Sequence, residues 1–233
     1  GIITSSFQFC NSSDSIDESR FLVYKAKSKQ IQLYWKDDSG TPFQSIQNLK
    51  AHVEKQGKNL VFAVNGGMFK EDHSPKGLFI EKQKIIVPLD TLREGGNFYL
   101  QPNGVFYLKV DGSAAICQTN DFVYNEDINY ATQSGPMLLV NGIINPIFNK
   151  DSRNLNIRNG VGILPDNKVV FIQSKEKVTF YEFAQCFKQL GCKNALYLDG
   201  NVSRTYLPEK GWKQTDGDFG VIIGISENKK SKK

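Results

Sequence analysis

One carboxylate stands out by its setting. In the stretch 193–208, KNALYLDGNVSRTYLP, the apolar run Ala195-Leu196-Tyr197-Leu198 reads as a buried strand that stops at Asp199-Gly200, and Asn201, Ser203 and Arg204 follow. A carboxylate at the exit of a buried strand, next to glycine and small polar residues, is a common way to hold a reactive group rigidly at a pocket mouth. Asp-Gly is equally the ordinary turn dipeptide, so the local pattern supports both readings. The theme recurs at Leu60–Val64, a second apolar run, which ends in Asn65-Gly66-Gly67. Two glycines let the backbone approach a ligand closely and present N–H groups to anionic oxygens, or simply form a bulge or turn. Beyond them, the polar loop Glu71-Asp72-His73-Ser74-Pro75-Lys76-Gly77 carries an acid pair and one of the chain's two histidines. Such a loop is either solvated or part of a site. The other histidine, His52, sits close to the apolar face of a helix, where a structural role is the more common one.

Hairpins and a few helices must position these groups. From Arg20 the pattern is extended, and Phe21 and Val23, then Ile31, Leu33 and Trp35, alternate with polar residues across a turn, a hairpin signature. Residues 45–56 read as a helix, with Ile46, Leu49 and Val53 on one face and Gly57 as the stop. Two further hairpins follow, 78–81 with 85–87, and 104–110 with 114–118 through Asp111-Gly112. The run 133–140 is extended and is broken near its start by Ser134-Gly135-Pro136. Arg153 and Arg158 precede the strand 160–164, and Asp166-Asn167 turns the chain into 169–173. The clearest helix is 180–190, where Phe180, Phe183, Ala184, Phe187 and Leu190 form one stripe. Thr179 with Glu182 reads as a capping box, and Gly191 ends the helix. Residues 219–226 form the last strand. Many strands with tight turns and only two convincing helices predict an α+β fold with mixed, largely antiparallel sheets, in a single domain. Its predicted span is 21–226, after a lead-in at 1–20 and before a disordered basic tail at 227–233.

Composition narrows the function classes. A chain of 233 residues with 39% hydrophobic and 12% aromatic residues is long and apolar enough for a large core. The net charge of +5 owes four of its positives to Lys229, Lys230, Lys232 and Lys233. The body is therefore nearly neutral and gives little reason to propose nucleic acid as a partner. No run approaches the roughly 18 apolar residues of a membrane span. The four cysteines, Cys10, Cys117, Cys186 and Cys192, form no CxxC pair, which argues against a zinc site, while Cys186 and Cys192 flank a helix end and could pair. A P-loop, a GxSxG elbow and HExxH are absent. Carboxylates, arginines, amides and glycine-rich backbone remain for chemistry.

Six stretches in order, NGGMF (65–69), EDHSPKGL (71–78), GNFYLQPNGVF (96–106), TQSGPMLLVNG (132–142), IRNGVGI (157–163) and LGCKNALYLDGNVSRTYLP (190–208), resemble the phosphodiester glycosidase family, above all its bacterial branch. The mammalian member carries Asp-Gly-Gly-Gly-Ser where this chain has Asp199-Gly200-Asn201-Val202-Ser203, so two glycines give way to larger residues and the expected space beside the carboxylate narrows. The resemblance implies hydrolysis of a sugar-1-phosphodiester at the anomeric carbon, with a periplasmic or secreted placement. The leaving phosphate monoester has a second pKa near 6 and departs far more easily than an alkoxide, which relaxes the demand for a general acid. Under that implication Asp199 is the essential carboxylate, with Glu71 or Asp72 as its partner. Arg158 grips the phosphate or else serves as a structural ion-pair partner. Gly66-Gly67 and Ser134-Gly135 line the pocket with backbone, and Asn65 and Ser203 orient hydroxyls or water. His73, Asn201 and Arg204 complete the expected substrate contacts. No cofactor is required, although Asp199, Asp72 and Glu71 are the hard oxygen ligands that Ca²⁺ or Mg²⁺ prefers. Two rival readings are a binding module for phosphorylated envelope glycans, marked by exposed stacking aromatics such as Tyr197, Tyr206 or Trp212, and a phosphodiesterase that cuts the P–O bond.

Overall fold

A computed structural model describes residues 16–230. The predicted lead-in therefore lies largely outside the described residues, as do Cys10 and the last three residues of the tail. In chain order the strands begin with β1 (Phe21–Ala26), β2 (Gln32–Tyr34), β3 (Lys58–Asn65), β4 (Phe79–Glu81) and β5 (Lys84–Val87). They continue with β6 (Gly104–Lys109), β7 (Ala114–Gln118), β8 (Ile128–Ser134), β9 (Met137–Val140) and β10 (Ile143–Ile144). The remainder are β11 (Asn159–Ile163), β12 (Val169–Ser174), β13 (Ala195–Asp199), β14 (Thr205–Leu207), β15 (Trp212–Lys213) and β16 (Ile222–Asn228). Helix α1 spans Ile46–Lys55 and α2 spans Phe180–Gln189.

The strands form three sheets, ordered β1-β12-β11-β13-β9-β10, β15-β14-β3-β16-β2 and β5-β4-β8-β6-β7. The strand pairings among the described residues are antiparallel. This is the predicted α+β class. The sheets close around one core, in which Leu196 and Leu198 of the first sheet meet Phe62, Val64 and Ile223 of the second and Phe106 of the third. Phe171 sits at the centre, its ring centroid 4.9 Å from that of Phe62 and 6.3 Å from that of Phe106.

The first sheet is covered on its other face as well. There Val170, Ile172, Ala195 and Tyr197 pack under α2 with Phe183 and Phe187. A sheet buried on both faces has no polar side to alternate with, which is why 195–198 is apolar without interruption. Helix α1 covers the second sheet through Ile46, Leu49 and Val53. Its start is capped by the Ser45 hydroxyl, which accepts the Asn48 N–H, and Gly57 follows its end at φ 75°.

Several expectations are corrected or refined. The stretch 21–35 is no hairpin, since β1 pairs with β12 in the first sheet and β2 with β16 in the second. Both segments alternate correctly, but each finds its partner far along the chain. The run 133–140 divides at Gly135-Pro136, so that β8 stays in the third sheet while β9 enters the first. The capping box is half formed: the Thr179 hydroxyl accepts the Glu182 N–H, while the Glu182 carboxylate turns to Arg20. The last strand runs on through Asn228, with Glu227 opposite Asn59 and Asn228 opposite Lys58, so residues 227 and 228 belong to the sheet and not to a tail. Cys186 and Cys192 are both buried and free, and burial pushes each thiol up to about 12.

Phe187 fills the space that Gly162 leaves open, where an added Cβ would stand 2.8 Å from its ring. Phe187→Ala is expected to lower the unfolding free energy by about 3–5 kcal/mol. Thr179→Ala, which removes only a cap, is expected to cost about 1 kcal/mol. Urea denaturation followed by circular dichroism checks both values.

Candidate active site

The antiparallel registers bring several strand ends to one pole of the molecule. Asn159 at the start of β11 lies opposite Asp199 at the end of β13, and Thr205 at the start of β14 lies opposite Val64, one residue before Asn65 closes β3. Asp199 is partly exposed, while Asn65 and Asn159 are fully buried. The Asn159 side chain joins the other two. Its Oδ1 accepts the Asp199 backbone N–H at 2.7 Å, and its Nδ2 donates to the Asn65 carbonyl at 2.9 Å and to Asn65 Oδ1 at 3.3 Å. Asn65 Oδ1 also accepts the Arg204 N–H at 3.0 Å, and Asn65 Nδ2 lies 3.5 Å from Asp199 Oδ2. The Gly200 N–H donates to Asp199 Oδ1 at 2.8 Å. Asn159 is the residue that the sequence reading missed. Its only signal was its place directly before a glycine-containing strand, in the motif 157–163.

Burial dominates the electrostatics of Asp199 and raises its pKa to about 6, against the N–H donors of Gly200 and Asn65, which favour the ionised form. The residue is partly exposed and its carboxyl is held well above the ordinary carboxylate range, as a general base or a cation-stabilising group requires.

Arg158 is placed differently from the expectation. It is fully buried, and its guanidinium donates to the carbonyls of Val178 (2.9 Å) and Asn154 (3.0 Å) and to the Tyr197 hydroxyl (3.4 Å). Its Cζ lies 3.7 Å from the centroid of the Phe180 ring. None of the seven ion pairs among the described residues includes it. Arg158 is therefore turned neither to a carboxylate nor to solvent, because the surrounding carbonyls and rings have taken its donors and its face. The Tyr197 hydroxyl accepts from Arg158 and lies 2.8 Å from where a Cβ on Gly200 would stand.

The remaining predicted residues divide between packing and the mouth. The Gly66 N–H is spent on the Val221 carbonyl, and Ile223 fills the space beside Gly66. Gly135 is pressed against the Phe98 carbonyl, and the Ser134 hydroxyl donates to the Leu198 carbonyl at 3.2 Å. Gly67 turns the chain at φ 72°. Gly66 and Gly135 thus set how closely the strand ends approach, and the Gly66 N–H is not free to bind an anion. Ser203 is buried, and its Oγ is the one buried side-chain polar atom among the described residues without a partner. The Arg204 side chain bonds Asp216 at 3.0 Å and the Ser203 carbonyl at 2.9 Å. Asn201 and Val202 are exposed.

Glu71 and Asp72 are exposed, and Asp72 accepts from Ser74 in its own loop instead of meeting Asp199. No group of three His, Cys, Asp or Glu side chains suited to a metal ion occurs among the described residues. His73 pairs with Asp218 at 2.6 Å and stacks on Phe69. A depression of about 260 Å³ beside Arg158 is lined by Phe148, Phe180, Asn97, Leu100 and Asn154. A cavity of about 560 Å³ lies at the opposite pole, between Ala115, Leu164 and Lys193, and holds none of the site residues.

Comparison with known proteins places the chain by sequence and by fold. The chain is 34% identical over 200 residues to an uncharacterised protein of Escherichia coli, YigE, covering 85% of this chain and 78% of that protein. Its fold is similar to the zebrafish N-acetylglucosamine-1-phosphodiester alpha-N-acetylglucosaminidase catalytic domain auto-inhibited by its pro-peptide, with a TM-score of 0.54 at 15% identity over 88% of both chains. A hypothetical protein from Synechocystis is similar at a TM-score of 0.56 and 14% identity, over 88% of this chain and 59% of its own. A family model described as phosphodiester glycosidase matches residues 58–224, from the first residue of β3 into β16, and the chain belongs to that family.

Proposed function

We propose that the protein hydrolyses a sugar-1-phosphodiester at the anomeric carbon, releasing free sugar and a phosphomonoester, with Asp199 as the essential carboxylate. The observation that carries this reading is a partly exposed carboxyl group raised to about 6, whose nearest side-chain and backbone contacts all donate to it. Above that pH it is ionised and can draw a proton from the attacking water or stabilise an oxocarbenium-like centre. The phosphate leaves without a strong acid, so a single carboxylate suffices for the demanding step. Arg204, half-buried and anchored to Asp216, supplies positive charge. Arg158 contributes a fixed charge from behind Tyr197 and does not grip the phosphate directly. No metal is required in this reading, because both Asp199 oxygens already face N–H donors. A periplasmic or secreted placement belongs to the same proposal.

One observation favours the glycan-binding alternative. The rings of Phe148 and Phe180 stack at 4.9 Å and line the depression together with side-chain amides, as a sugar platform would. Tyr197 and Tyr206 are buried and cannot serve in that role.

The test is release of free sugar from a panel of sugar-1-phosphodiesters. Asp199→Asn is expected to lower turnover by about 10²–10⁴-fold with the fold intact. A fully active variant removes Asp199 from the mechanism, and sugar binding without release favours the binding module. In the wild type kcat/KM is expected to rise through about pH 6 and then level, as Asp199 ionises. Activity is expected to survive exhaustive chelation. Heavy oxygen from labelled water is expected in the sugar, whereas its appearance in the phosphate indicates P–O cleavage.

Stability provides a readout that needs no substrate. The folded pKa of about 6 exceeds the ordinary 3.8, so the folded protein holds this proton more tightly than the unfolded chain. The cost of the buried charge is complete above the folded pKa and fades as pH falls toward the unfolded value. The stability of Asp199→Asn relative to the wild type is therefore expected to shift in the variant's favour by about 1–3 kcal/mol between pH 4 and pH 8, on top of a pH-independent cost for setting an amide NH₂ against the Gly200 and Asn65 donors. Melting curves at the two pH values check the sign.

A further inference from the structure

The orientations of the two buried amides at the site follow from neighbours that cannot be reversed. A backbone N–H only donates, so the Asn65 atom 3.0 Å from the Arg204 nitrogen is an oxygen. The Asn159 atom 2.7 Å from the Asp199 nitrogen is an oxygen for the same reason. Asn159 Nδ2 then points at Asn65, toward both its carbonyl and its Oδ1. With Oδ1 held by two donors, the Asn65 NH₂ group is left facing Asp199 Oδ2. Turning the Asn65 amide over would set its NH₂ against the Arg204 N–H and the Asn159 NH₂, and its oxygen against the carboxylate. Both amides are fully buried, so water cannot relieve those conflicts.

We propose that Asn159 is a positioning residue that commits Asp199 to the accepting role, as base or cation stabiliser and not as acid, by holding, together with the Arg204 N–H, the Asn65 amide in the orientation that donates to it. The proposal rests on the reading of Asp199 as the reactive carboxylate. The Gly200 N–H engages the other oxygen, so both carboxylate oxygens face donors. A protonated Asp199 needs an acceptor for its own hydrogen, and this side of the site offers none. The remaining charged or titratable neighbours are Tyr197 on its own strand, Arg158 ahead of β11, and Arg204 with Asp216 ahead of and beyond β14. None of them occupies either donor position on the carboxylate. Asn159 acts from the opposite sheet to Asn65, and its own side chain touches Asp199 only through the backbone N–H.

The test follows the Asp199 carboxyl carbon by NMR titration of the full chain, ¹³C-labelled at aspartate, with the resonance identified by its loss in Asp199→Asn. No substrate is needed, so failure to hydrolyse any phosphodiester would sink the proposed function without deciding this point. Asn159→Ala, checked for folding by its amide spectrum, is expected to raise the titration midpoint by about one pH unit, because Asn65 keeps only the Arg204 N–H as an anchor and its donor to Asp199 loosens. Asn65→Ser removes that donor directly and is expected to raise it similarly. The double variant is expected to show no more than the larger single shift, since both changes act through one bond. A folded Asn159→Ala protein with an unmoved midpoint overturns the proposal, as do shifts that add in the double variant. Should Asn159→Ala not fold, an unmoved midpoint in Asn65→Ser overturns it alone, and a raised one supports it. Where turnover is measurable, the acid limb of kcat/KM is expected to move upward with the midpoint. A merely structural role would lower kcat without moving that limb.

Discussion

The bond from the Asp199 backbone N–H to the Asn159 side chain is the constraint on which the rest of this pole depends. At the end of β13 the ladder to β11 carries a register shift, and Asn159 supplies with its side chain an acceptor at the place where the regular pairing is interrupted. The same side chain reaches the Asn65 carbonyl and so ties the first sheet to the second. One amide thereby satisfies backbone groups from two sheets that share no strand. Because a buried backbone group left without a partner costs free energy comparable to a lost hydrogen bond, this position is fixed before any substrate arrives.

Around that tie, the close approach of the strand ends is bought with missing side chains. Ile223 occupies the space beside Gly66, the Phe98 carbonyl presses on Gly135, and the Tyr197 hydroxyl stands over Gly200. Each glycine lets a neighbour come nearer than a Cβ permits. Together they draw the carboxylate into surroundings dense enough to hold its proton, while the turn after it stays open. The arrangement opposes the preference of a carboxylate for water, and the three-sheet core supplies the stability to maintain it.

Much of this was legible in the sequence, and its gaps have physical causes. The strand 195–199 and its terminal Asp199 could be read because a sheet buried on both faces leaves an unbroken apolar run. Helix 180–190 could be read because its stripe, cap and stop are all local. The partner of β1 could not, since alternation shows that a strand has a buried face but not which distant strand it meets. Arg158 was legible as important and not as buried, because its partners are carbonyls, which every residue has. Asn159 left almost no signal, for an asparagine that bonds backbone looks in sequence like any loop asparagine. Glu71 and Asp72 show the converse: an acid pair is conspicuous in sequence, yet here it serves its own turn.

The placement of Asn201 and Val202 has a consequence of another kind. These residues follow the carboxylate immediately, but they lie on the outside, and Val202 is 39% exposed. The atoms that tune Asp199 belong to strand ends and to the Gly200 backbone, all anchored from within. Changes at residues 201 and 202 leave the side chains of Asn65 and Asn159 in place, so a library confined to those two positions would vary the outer rim while the strand ends stay fixed.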